Sequence, residues 1–128
     1  MNWYVYKYLK VYWLLIMAVY VSNIVIEQGF DFDTSFQLED TRTNNFLDLV
    51  GAGTSAMLRK HSSSTSAVSF ASTVSQPENG IISITMLAAT TVDIKPGRYV
   101  YDVKITTPQG GSYKAVEGSA LVRGGVTR

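Results

Sequence analysis

The few residues that could carry chemistry lie in loops or on polar strand faces. His61 is the single histidine of the 128-residue chain, and it begins the serine-rich run His61–Ser66. A serine acts as a nucleophile beside a histidine only when a third group orients the imidazole. No nearby residue is suited to that task. We therefore interpret His61 as a solvated loop histidine and predict no catalytic residue.

Asp31 and Asp33 form the acidic pair whose spacing best suits a cation. Side chains two residues apart share one face of a strand, where two carboxylates can bind a metal ion or act as acid and base. The same alternation places both on the polar face, opposite the phenylalanines of the segment. Carboxylates on a solvent-facing or edge strand need no ligand to explain them. We therefore predict no metal site and no cofactor.

Two short motifs resemble binding sequences without completing them. Gly51–Thr54 (GAGT) has the glycines of a phosphate loop but lacks the Gly-Lys-Ser/Thr ending and a following helix, so we interpret it as a flexible connection. Arg59–His61 (RKH) is basic but too short for a nucleic-acid-binding stripe. The formal net charge of +1 favours neither nucleic acid nor an anionic membrane. We predict that the chain binds no nucleic acid or small-molecule substrate and is not an enzyme.

Length and composition indicate the kind of domain that carries these residues. A chain of 128 residues suits one domain with a single moderate core. The charged fraction of 16% is low against the typical quarter. The absence of cysteine excludes a disulfide framework and any thiolate-bound metal.

The elements that must position the polar residues are β-strands. In Phe30–Glu39 (FDFDTSFQLE) the even positions are mostly apolar and the odd positions polar, and this period of two is typical of a half-buried strand. Leu87–Ile94 is predicted to form one helical turn. The other predicted strands are Ala18–Ile26, Ala56–Lys60, Val68–Val74, Ile81–Leu87, Arg98–Thr106 and Tyr113–Arg123. The alternation predicts one apolar face of Ile81–Leu87 with Ile82, Ile84 and Met86, and one apolar face of Arg98–Thr106 with Tyr99, Tyr101, Val103 and Ile105.

Turn-forming residues separate these strands. Asn79-Gly80 lies where a hairpin would need a positive φ, which glycine tolerates and asparagine adopts more easily than most residues. Seven short strands at this spacing, without a long amphipathic helix, predict an antiparallel sandwich or barrel. The predicted turns are Thr41–Asn45, His61–Ser66, Gln76–Gly80, Lys95–Gly97 and Pro108–Ser112.

The motif Gly97-x-Tyr99-x-Tyr101 favours the sandwich. It enters a strand after a proline turn and resembles the tyrosine corner of immunoglobulin-like domains. The match is partial, because Lys95 replaces the aspartate often found before the corner and Tyr101 replaces the second cysteine. The alternative is that both tyrosines are ordinary half-buried strand aromatics. We predict an all-β, immunoglobulin-like antiparallel β-sandwich of about seven strands.

The aromatic opening of the chain allows three interpretations. Val11–Val21 is the longest uncharged apolar run, but it is shorter than the about 20 residues that a spanning helix needs. Lys7 and Lys10 could form the charged region of a signal peptide. Cleavage after Ser22 would however place Tyr20 where a small residue is expected.

A signal peptide would also consume the first predicted strand, Ala18–Ile26. The third interpretation is that Met17 is the true initiator. We therefore predict that residues 1–16 are an extension arising from a mis-assigned start and that residues 17–128 form the domain.

Four segments together resemble a known family. In their order and spacing they are similar to small virion structural proteins of tailed bacteriophages, in particular of myoviruses that infect marine cyanobacteria. The last two segments, with their Gly-x-Tyr-x-Tyr-Asp strand, Glu-Gly strand and terminal Val-Thr-Arg, also resemble the immunoglobulin-like N-terminal domain of phage baseplate upper proteins. The likeness covers Met17–Arg128, with departures at Asp48–Ala52 and at Gly124-Gly125. The segments are Asn23–Asp40 (NIVIEQGFDFDTSFQLED), Ala56–His61 (AMLRKH), Ile94–Thr106 (IKPGRYVYDVKIT) and Val116–Arg128 (VEGSALVRGGVTR).

The resemblance implies an immunoglobulin-like module that assembles into the tail, baseplate or neck of a virion. Its expected partners are other virion proteins and copies of itself, and its expected location is the virion, assembled in the host cytoplasm. The candidate contact surfaces are the Asp31/Asp33 face and the His61–Ser66 loop. The alternative is an exported or membrane-tethered recognition module that uses residues 1–21 as a signal or anchor and its loops to bind a glycan or receptor.

Overall fold

The chain folds into strands joined by short connections. A computed structural model describes residues 20–40 and 45–126. Besides the strands it contains one short helix, α1 (Ala88–Thr91), and one 3-10 turn, Pro77–Asn79. The strands are β1 (Tyr20–Val21), β2 (Ile24–Glu27), β3 (Phe32–Gln37), β4 (Glu39–Asp40), β5 (Asn45–Phe46), β6 (Gly53–Arg59), β7 (Val68–Gln76), β8 (Ile81–Met86), β9 (Gly97–Thr106) and β10 (Ser112–Arg123).

The strands form two layers that share β7. Neighbouring strands follow the order β1-β10-β9-β6-β7-β8-β3, with β2 also paired to β10. Val68–Phe70 of β7 pairs with β6, and the rest of the strand pairs with β8. We call β1, β2, β10, β9, β6 and the start of β7 the large sheet, and the rest of β7 with β8 and β3 the small sheet. The predicted immunoglobulin-like sandwich is confirmed.

The first and last strands of the large sheet run parallel. Tyr20 is opposite Val116 and Ile24 is opposite Ala120, so β1 and β2 both follow the direction of β10. The other described strand pairs are antiparallel. The predicted strand Ala18–Ile26 is therefore interrupted at Ser22 and Asn23, and its first two residues lie outside the described part of the chain.

The core lies between the two sheets and is made of the apolar positions of the alternating strands. Ile82 and Ile84 of the small sheet and Val103 and Ile105 of the large sheet are 0% exposed. Burial of each such side chain is worth about 1.5–3 kcal/mol. The faces predicted for β8 and β9 are therefore confirmed. Phe30 departs from its predicted face and is exposed, because it belongs to the turn before β3.

The tyrosine-corner interpretation is confirmed for Tyr99. Its hydroxyl donates a hydrogen bond to the carbonyl oxygen of Lys95, four residues earlier, at 2.6 Å. Tyr101 is 3% exposed and packs edge-on against Phe70, so it fills the core position of the missing cysteine. The hydroxyl of Tyr101 donates to the carbonyl oxygen of Ser22 at 2.6 Å. This bond joins β9 to the interruption between β1 and β2.

The connections contain both confirmed and unpredicted elements. The predicted helical turn within Leu87–Ile94 is α1, and Gly80 has the positive φ, 68°, expected between β7 and β8. The short hairpin of β4 and β5 was not predicted, and Leu47 and Leu49 after it are buried. Residues 41–44 of the predicted turn and the boundary between 1–16 and 17–128 lie outside the described residues.

Candidate interaction surfaces

The His61–Ser66 loop joins β6 to β7 and starts with a compact, exposed turn. The backbone N–H of His61 donates to Ser64 Oγ at 3.0 Å, and the N–H of Ser64 donates to the carbonyl of His61 at 3.0 Å. Arg59 Nη1 donates to the carbonyl of Ser64 at 2.8 Å. Within the described part of the chain, His61 makes these hydrogen bonds with its backbone N–H and carbonyl and not with its side chain. The imidazole is therefore left facing solvent without an orienting carboxylate in that part of the chain.

The basic triplet Arg59–His61 does not form one charged surface. The Arg59 guanidinium is turned to the loop carbonyl of Ser64, whereas Lys60 Nζ lies 4.7 Å from the centroid of the Tyr99 ring. A cation over an aromatic ring contributes about 0.5–1 kcal/mol at an exposed site. The Arg59 and Lys60 side chains therefore serve local contacts, and the His61 imidazole faces solvent.

Asp31 and Asp33 have different roles. An oxygen of the Asp31 carboxylate accepts a hydrogen bond from the backbone N–H of Ala88 at 2.7 Å, which caps the first turn of α1. Asp33 is exposed on the outer face of β3, opposite Thr85. Within residues 20–40 and 45–126 no three His, Cys, Asp or Glu side chains are grouped to hold a metal ion.

Gly51–Thr54 is divided between a turn and a strand. Gly51 has a φ of 81° in the turn, and Gly53 and Thr54 begin β6. The Thr54 hydroxyl donates to Ser72 Oγ at 3.0 Å, which ties β6 to β7. A strand follows the glycines where a phosphate loop would need a helix, and only the first half of the motif is a connection.

An apolar platform at one end of the sandwich was not predicted. The turn between β2 and β3 is bonded to α1 through Thr91, which is 0% exposed: Gly29 N–H donates to Thr91 Oγ1 at 3.0 Å, and Thr91 Oγ1 donates to the carbonyl of Phe30 at 2.9 Å. The junction displays the side chains of Phe30 and Val92, each 48% exposed, beside an open cavity of about 440 Å³. The period-two pattern of Phe30–Glu39 assigned Phe30 to the buried face, and no sequence signal marked Val92, so the platform was missed.

On the outer face of the large sheet, charged side chains of β9 lie opposite charged side chains of β10. Asp102 is opposite Glu117, and Lys104 is opposite Lys114. Lys114 Nζ lies 3.2 Å from Glu117 Oε1 and 3.9 Å from Asp102 Oδ2. These side chains are about half exposed, so each ion pair contributes little, about 0–1 kcal/mol. An open cleft of about 570 Å³ lies on this face and includes Asp102, Glu117 and Val100.

The outer face of the small sheet is different, because hydroxyl groups dominate it. Ser35 Oγ and Ser83 Oγ are 2.9 Å apart, and Ser83 Oγ donates to Ser75 Oγ at 3.2 Å. This row crosses all three strands, and Asp33 is beside it on β3. A flat face of small side chains with one carboxylate is suited to protein contacts and lacks the enclosed geometry of a small-molecule site.

Among the residues that the structure describes, Tyr101 and Arg123 have shifted pKa values. Burial raises the pKa of the Tyr101 hydroxyl above its ordinary value of 10.0. The pKa of Arg123 is raised by the hydrogen bond to Glu27 and by the charge of that carboxylate. Arg123 Nε donates to Glu27 Oε1 at 2.7 Å across the parallel β2–β10 pair. Both groups thus bond to the edge of the large sheet that β1 and β2 form.

Comparison with known proteins shows resemblances of fold among solved structures. No protein-family model and no curated protein matches the chain. An internalin-like protein of Listeria monocytogenes is 17% identical with a TM-score of 0.44, covering 82% of this chain and 28% of that one. The SrpA adhesin from Streptococcus sanguinis is 7% identical with a TM-score of 0.47, covering 79% and 54%. A family 123 glycoside hydrolase from Clostridium perfringens is 15% identical with a TM-score of 0.43, covering 87% and 24%.

The chain thus spans about half or less of the length of each of these proteins. Their identities and TM-scores are low, and none of them indicates a function for this chain. In the part of the chain that the structure describes, no helix is long and apolar enough to cross a membrane.

Proposed function

We propose that this chain is a non-enzymatic structural protein of a tailed-phage particle, in the tail, baseplate or neck, which acts through protein–protein contacts. The observation that carries the proposal is the resemblance of four segments, in order and spacing, to small virion structural proteins of such phages. A fold alone does not supply a function. The role therefore depends on those segments, and the architecture supports it.

Most of the segments that carry the resemblance belong to the large sheet. They contain β2, most of β10, β9 and most of β6, which are successive neighbours there. The first segment also contains β3 of the small sheet and β4. The likeness therefore includes strands of both layers of the sandwich.

The surfaces are suited to assembly. The described chain presents an exposed apolar platform at Phe30 and Val92, a charged outer face on one sheet and a hydroxyl-rich face on the other. Exposed apolar groups on a rigid support are typical of protein contact sites. The His61–Ser66 loop and the face that carries Asp33 remain candidate contacts within this proposal.

Mass spectrometry of gradient-purified phage particles tests the proposal. We expect peptides of this chain in the particle fraction, at a constant ratio to a major tail protein across the gradient. An abundant host cytosolic protein measured in the same fractions controls for carry-over. The proposal fails if the chain is absent from particles. Recovery of Trp3–Trp13 peptides from host membranes would instead support the exported or membrane-tethered module.

The most N-terminal peptide found in the same measurement tests the predicted start. Peptides that begin at Met17 or Ala18 would agree with initiation at Met17. A peptide that begins at Met1 would contradict it and leave the particle assignment unaffected.

A further inference from the structure

The strand β3 forms an edge of the small sheet. Among the described residues it pairs with β8 alone, from Phe32 opposite Met86 to Gln37 opposite Ile81. The N–H of Leu38, one residue beyond the strand, donates to the carbonyl of Gly80 at 2.8 Å. Direct partners in an antiparallel pair alternate between those that exchange backbone hydrogen bonds and those that do not. The bond at Leu38 therefore fixes which residues of β3 face β8.

This alternation directs the backbone groups of Phe32, Thr34 and Phe36 to β8. The N–H and C=O groups of Asp33, Ser35 and Gln37 consequently point away from the sheet. The side chains agree, because the hydroxyls of Ser35 and Ser83 approach to 2.9 Å, as expected of partners in a close pair without backbone hydrogen bonds. Three consecutive outward positions thus present a continuous row of donors and acceptors.

The edge lacks the features that usually prevent pairing with another chain. Edges are commonly protected by proline, by a bulge or by a charged side chain that points inward. β3 contains no proline, its register with β8 is unbroken, and its inward side chains are Phe32, Thr34 and Phe36. Its one charged residue, Asp33, is on the outer face. Within residues 20–40 and 45–126 nothing pairs with this side of β3, and the edge is open to the addition of a strand.

We propose that β3 pairs antiparallel with β3 of a second copy of this chain, centred on Ser35, so that two small sheets join into one. This inference deepens the proposed function by naming one partner of the module. The register engages the outward backbone groups of all three residues, with Asp33 opposite Gln37 of the second copy and Ser35 opposite itself. The dimer has the two-fold symmetry that is commonest among soluble oligomers.

The charges within β3 are compatible with this partner. The single carboxylate of each β3 meets a neutral amide, and no like charges face each other within the strand. Beyond each end of the strand the register sets Asp31 opposite Glu39 of the second copy, and there the Asp31 carboxylate is bonded to Ala88 N–H. A shift to a register centred on Thr34 would leave Gln37 beyond the end of the partner strand. Pairing centred on Ser35 is therefore the better fit.

Sedimentation velocity of the full chain, measured over a range of concentrations, tests the dimer. We expect a monomer–dimer equilibrium in the purified chain. Ser35→Lys places two ammonium groups opposite each other at the centre of the ladder, and we expect loss of the dimer. The matched control is Ser83→Lys, which adds the same charge to the same outer face on the middle strand and should leave the dimer intact. Circular dichroism of both variants checks that they fold.

A cross-link tests the register. Directly opposite Cα atoms that exchange backbone hydrogen bonds lie about 5.5 Å apart, within the range that a disulfide spans. Mild oxidation of Ser35→Cys should therefore give a covalent dimer, whereas Ser83→Cys should not.

The proposal is overturned if the full chain stays monomeric at high micromolar concentration, or if Ser35→Lys dimerises as well as the unchanged protein. A monomer in which the Ser35 amide is protected from hydrogen exchange would show that another segment of the same chain covers β3. These outcomes are separate from the particle measurement, because a monomer found in virions would refute the dimer and leave the structural role standing.

Discussion

The strand order of the molecule ends in two edges that are built differently. At one end, β1 and β2 are two and four residues long and are separated by a break at Ser22 and Asn23. At the other end, β3 is six residues long and has no break. Short or interrupted edge strands oppose pairing with another chain, whereas long regular ones permit it.

The edge formed by β1 and β2 is bonded to β9 and β10 at both residues of its break. Tyr101 donates to the carbonyl of Ser22, and the N–H of Ser119 donates to Asn23 Oδ1 at 3.1 Å. Gly118 makes the close approach possible, because a Cβ at that position would lie 1.9 Å from the carbonyl oxygen of Ser22. These contacts specify the first edge, whereas β3 is held by its ladder to β8 and by the packing of Phe32 and Phe36 on the core. The comparison teaches that the two edges are both anchored but differ in their capacity for pairing, which lies at the second.

The largest expected effect at the broken edge is that of Gly118→Ala. The new methyl group would collide with backbone, which cannot move away as a flexible side chain can, and overpacking of this kind costs about 3 kcal/mol. Chemical denaturation measures the loss. Gly53→Ala is the control, because a Cβ there meets nothing within 4 Å and should cause no loss. Equal stability of the two variants would contradict the close approach.

Tyr101→Phe should have the next largest effect. The variant keeps the ring in the core but leaves the part-buried carbonyl of Ser22 without this donor, which costs about 1–2 kcal/mol. Tyr99→Phe removes a bond of the same length to Lys95 at a more exposed position, so we expect a smaller loss of about 1 kcal/mol. Thermal or chemical unfolding measures both losses. A larger loss for Tyr99→Phe than for Tyr101→Phe would show that the hydrogen bond to Lys95 matters more for stability than the hydrogen bond to Ser22.

Stability should also depend on pH through Tyr101. Burial raises the pKa of this hydroxyl in the folded state above the unfolded value of 10.0. The folded state therefore holds the proton more tightly, so the contribution is fully present below pH 10 and is lost as the pH rises through the folded-state pKa. The unfolding free energy of Tyr101→Phe should decline less steeply above pH 10 than that of the unchanged chain. Parallel pH profiles would argue against a buried hydroxyl.

The smallest effect concerns the second edge. Asp31→Ala removes the acceptor for the N–H of Ala88 and should cost about 1 kcal/mol, as loss of a helix cap does. Asp33→Ala, two residues along, removes an exposed side chain and should change stability by less than about 0.5 kcal/mol. Denaturation of dilute protein separates these effects from any dimer. A larger loss for Asp33→Ala would mean that β3 is held by its outer face.

The long alternating strands could be predicted from sequence because their polar and apolar faces are distinct. The pattern of Arg98–Thr106 predicted β9 and its buried face, and the turn of Asn79-Gly80 lies between β7 and β8 as expected. Two-residue strands such as β4 and β5 show no period. The burial of Leu47 and Leu49 beside them depends on packing, which a local pattern does not record.

The local sequence pattern could not predict which strands pair with each other, or which distant residues the candidate site residues contact. The alternation of β7 continues unchanged where the strand leaves β6 for β8, so nothing in its residues marks the switch. The carboxylate of Asp31 caps a helix that begins at Ala88, far along the chain. The outward backbone groups of β3 became identifiable only once its register with β8 was known.

The parallel pairing of the first and last strands has a mechanical consequence. Tyr20 is beside Val116 and Glu27 is beside Arg123, so the described chain enters this pair at one end and leaves it at the other. Tension applied between Tyr20 and Val126 would therefore pull β2 and β10 past each other along their length. Their hydrogen bonds would carry the load together and would not open one after another, so this parallel pair resists such a force in shear.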